Sequence, residues 1–382
     1  MQYNKLTLEE LGVGIELSTF APEGRVAEWH AMLRVEPRGD LFLEQYRRLC
    51  LAEAFLLETE EMKGAKIVFK RYFLSDATNQ QPLMEHQEDA CASYIQQPPL
   101  DGSKVALWVY LQRGTEVLPA ADRLHSALVR HNGYEHIWTM GMTTSKGNSY
   151  EQTQTLLQDY GQLLASHCAT LEDNCIRTWF FVRDVDTQYN GLVVARREHF
   201  AKHGLLPETH YIASTGIGGN PSDPKALIQL GSYAITGFEP AQQRYLYAAT
   251  HLNRTSEYGV TFERGTLMQY GDRNHAFISG TASINNQGEV MHTGDIKKQT
   301  HRMWENVEEL LREGGMTMDD VAQIIVYLRD GADYEVVSCM FREKYPAVPT
   351  VFTLAPVCRP TWLIEMECIA IRETAGNPYR AF

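Results

Sequence analysis

This chain of 382 residues lacks several features that would settle its class at once. It has no excess of basic charge: 35 Lys and Arg stand against 48 Asp and Glu, for a formal net charge of −13. Nucleic-acid binders carry a basic footprint, so a nucleic-acid partner is not expected. No apolar run is long enough to span a bilayer, and the first twelve residues are polar and acidic with no basic start before an apolar stretch. Neither a membrane partner nor a signal peptide is expected. The seven cysteines are odd in number and show no Cys-x-x-Cys spacing, which favours free thiols in a reducing cytoplasm over a disulfide framework. No Gly-Lys-Ser/Thr follows a glycine-rich run, and no His-Glu-x-x-His is present.

Hydrophobic residues are plentiful, at 44 %, and the length calls for two or three packed units rather than one core. An internal repeat supplies them. Gln152-Thr153 opens a helix-like segment through Leu163-Leu164, followed by Thr170-Leu171-Glu172-Asp173 and an apolar run ending Val182-Arg183-Asp184. Gln299-Thr300 opens a matching segment through Leu310-Leu311, followed by Thr317-Met318-Asp319-Asp320 and a run ending Leu328-Arg329-Asp330. A fainter copy stands at the start, with a helix over residues 41–59 and a strand from Lys66 ending Leu74-Ser75-Asp76. Each strand-end Asp suits the start of the next element. Each copy closes with an extended piece, a proline-containing loop and a last strand, at residues 105–111, 227–235 and 363–371. The expected fold is α/β (α+β), with three tandem β-α-β-α-β units over residues 1–113, 114–240 and 241–382, each a mixed sheet covered by helices on one face.

The residues of the last unit resemble the RidA/YjgF family. The resemblance runs from Thr261 to Arg372 and rests on Ile278-Ser279-Gly280-Thr281-Ala282-Ser283, Gln299-Thr300, Asn306 and the closing Ile364-Glu365-Met366-Glu367-Cys368-Ile369-Ala370-Ile371. Family members are homotrimers with pockets between subunits, which implies that three fused copies form a pseudo-trimer from one chain. RidA-type imine deaminases hold the substrate carboxylate with an Arg shortly before the closing strand. Here that stretch reads Pro349-Thr350-Val351-Phe352, with Thr209-His210-Tyr211 and Cys91-Ala92-Ser93 in the other units. The missing Arg speaks against imine or enamine deamination.

The middle and last units together resemble the chorismatases, a RidA-like group acting on chorismate. The matching residues are Arg177-Thr178-Trp179, Tyr189, Ala195-Arg196-Arg197 to Phe200, Ala213-Ser214-Thr215-Gly216-Ile217-Gly218-Gly219, and Cys358-Arg359-Pro360 leading to Leu363-Ile364-Glu365. The resemblance implies loss of the enolpyruvyl group as pyruvate, leaving either a dihydroxycyclohexadienoate or 3-hydroxybenzoate. Cys358 and Gly271 fit the hydroxybenzoate-forming kind. No cofactor or metal is implied.

Glu365 and Glu367 share one face of the closing strand by its two-residue period. Two neighbouring carboxylates in a buried site oppose each other's ionisation, so one holds a proton near neutral pH. An enolpyruvyl ether breaks by protonation of its methylene carbon, and the resemblance selects Glu365 as the acid. Cys358 either joins the catalysis or shapes the pocket. Arg359 and Arg196 offer planar forks to the two carboxylates of chorismate. The run Thr215 to Gly219 reads as a backbone cradle for an anion, with Thr215 and Gly216 as contacts; Tyr189 and Gly271 complete the candidate binding set. His199 and His203 have helical metal spacing but no third ligand, and a structural role is expected. His275, His292 and Asp295 are further candidates for the pocket wall. The partner expected is thus a small anionic substrate, with self-association possible but not required. A catalytically silent binding protein and a RidA-like deaminase stand as alternatives.

Overall fold

The computed structural model describes residues 1–84, 91–119 and 126–382. Three six-stranded sheets make up its described part. The first holds β1 (Gln2–Leu8), β2 (Val13–Phe20), β3 (Ala27–Val35), β4 (Lys66–Leu74), β5 (Cys91–Gln96) and β6 (Val105–Arg113). The second holds β7 (Glu116–Pro119), β8 (Ser126–His131), β9 (Tyr134–Thr143), β10 (Cys175–Val182), β11 (Ala213–Gly218) and β12 (Ile228–Thr236). The third holds β13 (Gln243–Leu246), β14 (Gly265–Gln269), β15 (Arg273–Ala282), β16 (Val321–Leu328), β17 (Thr350–Leu354) and β18 (Ile364–Glu373). The strand order is the same in all three: an antiparallel meander of the first three strands, then the sixth, fourth and fifth, the last two parallel.

Each unit therefore begins with three strands where the sequence suggests one. These strands are easily missed because many are buried on both sides, as in β15, so no alternation of polar and apolar residues marks them. The helices α1 (Phe42–Glu58), α3 (Ser149–Ser166) and α6 (Ile296–Glu313) lie where the repeat puts them. The second helix of each unit varies: α5 (Val185–Lys202) has eighteen residues, α7 (Tyr334–Lys344) eleven, and α2 (Ala77–Gln80) a single turn. One further turn, α4 (Leu171–Asn174), is capped by Thr170, as the 3-10 turn Met318–Asp320 is by Thr317.

One buried glutamine shows the repeat atom by atom. Gln45, Gln152 and Gln299, in the first turns of α1, α3 and α6, each accept the N–H of the residue just before the closing strand. Those donors are Lys104 (2.7 Å), Leu227 (2.7 Å) and Leu363 (2.9 Å). The side-chain amide pins the loop and so sets the register of the closing strand. Each sheet covers one face with its own helices, while the other face packs on the other two sheets in a shared core that includes Trp108, Trp138, Tyr233 and Phe277. The result is a pseudo-trimer within one chain, with a seam between each pair of units. No helix among the described residues is long and apolar enough to cross a membrane.

Candidate active site

The seam between the middle and last units carries the ionisable residues of the closing strand. Glu365 and Glu367 both point inward from β18, as its two-residue period requires, and both are buried. Their surroundings differ. Glu367 accepts hydrogen bonds from Arg177 Nη2 (2.8 Å), Trp179 Nε1 (2.8 Å) and the Thr215 hydroxyl, all from the middle unit. Arg71, on β4 of the first unit, adds its guanidinium 3.6 Å away, stacked on Trp108, Trp179 and Phe181. All three units thus converge on one carboxylate.

Glu365 has no such cage. Burial, reinforced by the negative charge of Glu367, pushes its pKa up to about 8, while Arg177 and Arg264 pull the other way. Space for it comes from Gly280 on β15, where a Cβ would lie 2.1 Å from Glu365 Oε1. The Gly280 N–H is held by Thr215 Oγ1 at 2.9 Å.

Glu365 lines a cavity of about 570 Å³, counted out to its open mouth. Arg196, on α5, reaches it fully buried, with Nε donating to Thr261 Oγ1 (3.1 Å) and Nη1 to Ser214 Oγ (3.4 Å). Arg264 stands just before β14 and donates to the Asn253 carbonyl (3.2 Å from Nη2). Arg359 lies over the Trp362 ring at 4.7 Å and donates to the Gly288 carbonyl. Tyr189 packs over Gly216, where a Cβ would come 3.1 Å from its ring, and its hydroxyl lies near enough to the Cys358 thiol for the two to influence each other. Burial and the proximity of Glu365 push the Cys358 thiol up to about 12, so it stays protonated at neutral pH. A neutral thiol shapes a wall; it is not a ready nucleophile. The wall therefore offers three guanidinium groups, one carboxyl able to hold its proton, and rings at Phe262 and Trp362. Such an arrangement can bind a dianion and deliver a proton to it.

Of the residues singled out in the sequence, Glu365, Cys358, Arg359, Arg196, Tyr189 and Gly216 meet in this cavity. Thr215 stands behind its wall and acts on Glu367 and Gly280. The cradle expected from Thr215 to Gly219 is not one. The run is strand β11 and its continuation, paired with β10, with the Gly218 and Gly219 N–H groups given to Pro356 O (2.9 Å) and Val182 O (3.1 Å). Its glycines serve close packing between units: a Cβ on Gly218 would meet Pro356 at 2.8 Å, and one on Gly219 would meet Ile95 at 3.0 Å. Gly271 is not in the cavity either. It lies in the turn before β15 under the C-terminal tail, where a Cβ would meet Tyr379 O at 2.3 Å.

His275 is also elsewhere, bonded to Glu28 of the first unit at 2.9 Å beside Arg273. His292 and Asp295 form the lead-in to α6, which Asp295 caps through the Lys298 N–H. His199 and His203 stack on each other, and burial lowers the His199 pKa to about 4. Among the described residues no group of three His, Cys, Asp or Glu side chains is placed to hold a metal. The middle-unit counterpart of Val351 is Thr215, not the Thr209-His210-Tyr211 stretch, because the two stand at equal places in the parallel strand pairs.

Arg264, Phe262, Val260 and Trp362 were not legible as site residues. No motif surrounds the first three, which the long connection before β14 brings into place by docking on the middle unit, where Glu263 N–H donates to Ile212 O (3.0 Å); Trp362 falls between the Cys358-Arg359-Pro360 and Leu363-Ile364-Glu365 runs without itself being singled out.

Three copies of one unit closed on each other, with a ligand-sized cavity between two of them, define a single-chain counterpart of a trimer. The family model described as Endoribonuclease L-PSP matches residues 268–372. A RutC family protein of Pyrococcus abyssi is 38 % identical over 105 residues, which is 26 % of this chain and 80 % of that protein. The 3-aminoacrylate deaminase RutC of Acinetobacter baylyi is 28 % identical over 99 residues, 25 % of this chain and 79 % of that one. The crystal structure of a chorismatase matches 92 % of this chain and 99 % of its own, with a TM-score of 0.66 and 19 % identity. The chain therefore has the chorismatase fold over most of its length. Through its last unit it belongs to the RutC family.

Proposed function

We propose that this chain is an enzyme that converts chorismate, with Glu365 as the acid. One observation carries the reading: a carboxyl that keeps its proton at neutral pH faces a cavity with three arginines. Chorismate is a dicarboxylate, and Arg196, Arg264 and Arg359 supply more than enough forks for both ends. Proton transfer from Glu365 to the methylene carbon of the enolpyruvyl group makes the ether carbon electrophilic. The Glu365 carboxylate left behind is stabilised by Arg177 and Arg264, which already favour its charged form. Cleavage of the ether then releases pyruvate. If water adds, the other product is a dihydroxycyclohexadienoate. If instead the adjacent ring hydroxyl closes its oxygen onto the carbon that pyruvate leaves, giving up its proton, the resulting epoxide opens at that oxygen's original carbon, the carbon now bearing the oxygen loses its hydrogen, and the aromatic product is 3-hydroxybenzoate; pyruvate and hydroxybenzoate together account for every atom of chorismate. The neutral Cys358 thiol beside Glu365 suits the second outcome as a wall, not as an attacking group. The 19 %-identical structural neighbour bears the name chorismatase, which supports the substrate assignment.

A deaminase reading draws support from the kinship of the last unit to RutC. The stretch Pro349-Thr350-Val351-Phe352, where the resemblance calls for an Arg, offers no charge to a substrate carboxylate.

The test is to incubate the purified protein with chorismate, quantify pyruvate, and identify the ring product by chromatography and mass. Stoichiometric pyruvate and one ring product are expected. Intact chorismate would overturn the reading, and turnover of 3-aminoacrylate in a parallel assay would replace it with deamination.

A further inference from the structure

The seam between the last and first units holds a second cavity, about 460 Å³ out to its mouth. By strand register it is the counterpart of the candidate active site. Ala106 on β6 stands where Glu365 stands on β18, since each lies opposite the residue three before the strand-end Asp of its unit, Phe73 and Tyr327. Arg34 pairs with Ala106 as Ala282 pairs with Glu365. Thr350 and Phe352 occupy the places of Ser214 and Gly216 in the parallel pairs. Arg342 follows Asp330 by the same interval as Arg196 follows Asp184.

This cavity has lost its acid, keeps one cation in place, Arg342 for Arg196, and gains Arg34 where the other seam has Ala282. Trp108 replaces Glu367, so neither carboxylate remains on the closing strand. Lys5, Arg34 and Arg342 line it against a single carboxylate, Glu16. Glu16 is shared: Lys5 lies at 2.8 Å, Arg34 Nη2 at 2.7 Å, and the Thr350 N–H at 3.0 Å. The buried Arg34 Nε has no hydrogen-bond partner among the described residues. Asp101 and Glu335 act on the Tyr334 hydroxyl but are not among the lining residues. The remaining wall is aromatic, with Tyr334, Phe341, Tyr345 and Phe352. Surplus positive charge selects an anion, and flat aromatic walls select a flat ring.

We propose that this seam is a second binding site, which takes a small aromatic carboxylate and leaves it unchanged. No counterpart of Glu365 is present to give a proton: Ala106 holds that register position on β6, and the one carboxylate in the wall, Glu16, is held by Lys5, Arg34 and the Thr350 N–H. The inference rests on the cavity's own residues and stands whether or not the other seam turns over chorismate.

The probe is 3-bromobenzoate, whose bromine reports each cavity separately. Crystals of the whole chain soaked with it should show an anomalous bromine peak at the last–first seam, with the carboxylate against Arg34 or Arg342. In calorimetry, Arg342→Ala should weaken one binding event by about tenfold, as expected for a lost charged hydrogen bond, and should leave chorismate consumption unchanged. Arg34→Met should weaken the same event, and Arg342→Ala decides alone if that variant fails to fold. Bromine found only at the middle–last seam, or nowhere, would overturn the proposal, as would an Arg342→Ala variant that binds as the parent does.

Discussion

The seam between the first and middle units repeats the geometry of the candidate active site with neutral chemistry. Gln229 holds the place of Glu365, Gly231 that of Glu367, and Ser93 that of Thr215. Gln229 Nε2 donates to Ser93 Oγ at 2.8 Å, and Gly231 places no side chain beside the Trp179 ring and Met140. At the middle–last seam the same backbone register carries two carboxylates. One is neutralised by Arg71 and Arg177; the other is left with its proton. The difference teaches where the reactivity resides. The scaffold supplies the register three times, and two side chains on one strand convert a packed contact into a proton donor. The charged version needs support that the neutral one does not. Buried carboxylates are tolerated only when paired, and here the pairing draws an arginine from each of the other two units.

Copying the neutral seam into the charged one is the sharpest way to break the comparison. Glu365→Gln should cut chorismate turnover by on the order of 10²–10⁴-fold, the usual worth of a general acid, with the fold retained by circular dichroism; a variant of parental activity would remove Glu365 from the mechanism. The same variant has a stability signature. The native state holds the Glu365 proton up to about 8, whereas the unfolded chain releases it near the ordinary value of 4.5. Between those values the native state binds more protons, so parental stability falls as pH rises. Melting curves across this window should show the slope flattened in Glu365→Gln.

Removing the other carboxylate attacks the support. Glu367→Gln leaves Arg71 and Arg177 buried without their counter-charge and should cost about 3–5 kcal/mol in denaturant unfolding. A loss under about 1 kcal/mol would show that the cage is not what holds the three units at this point. Gly280→Ala tests the space rather than the charge. Its Cβ would displace Glu365, and a misplaced acid should lower kcat by roughly 10²-fold; an unchanged kcat would mean that the observed position of Glu365 is not the working one. The mildest probe is pH. Because the acid must be protonated, the rate should fall about tenfold per pH unit above about 8. A rate that instead falls toward low pH would assign Glu365 the role of a base.

Much of this could be read along the chain. The glutamines Gln152 and Gln299, the matching Thr170 and Thr317, and the shared face of Glu365 and Glu367 follow from local periods and offsets, whereas Gln45 of the first helix did not stand out. Opening strands such as β3 and β15 did not stand out, because burial on both faces erases the alternation that marks a strand. The glycines of β11 were misread for a similar reason. A glycine run looks the same whether it cradles an anion or admits a neighbour, and Pro356 and Ile95, which require these glycines, lie far away in sequence.

What the amino-acid order determined by itself was the repeat, the spacing of two acids on a strand, and the kinship of the last unit. These are matters of near neighbours. Only the folded chain decided which acid keeps its proton and which arginines face it. Arg71 comes from the first unit, Arg177 and Arg196 from the middle, and Arg264 and Arg359 from the last. The electrostatic state of a buried group is set by everything packed around it, and at this seam most of that comes from elements remote in sequence.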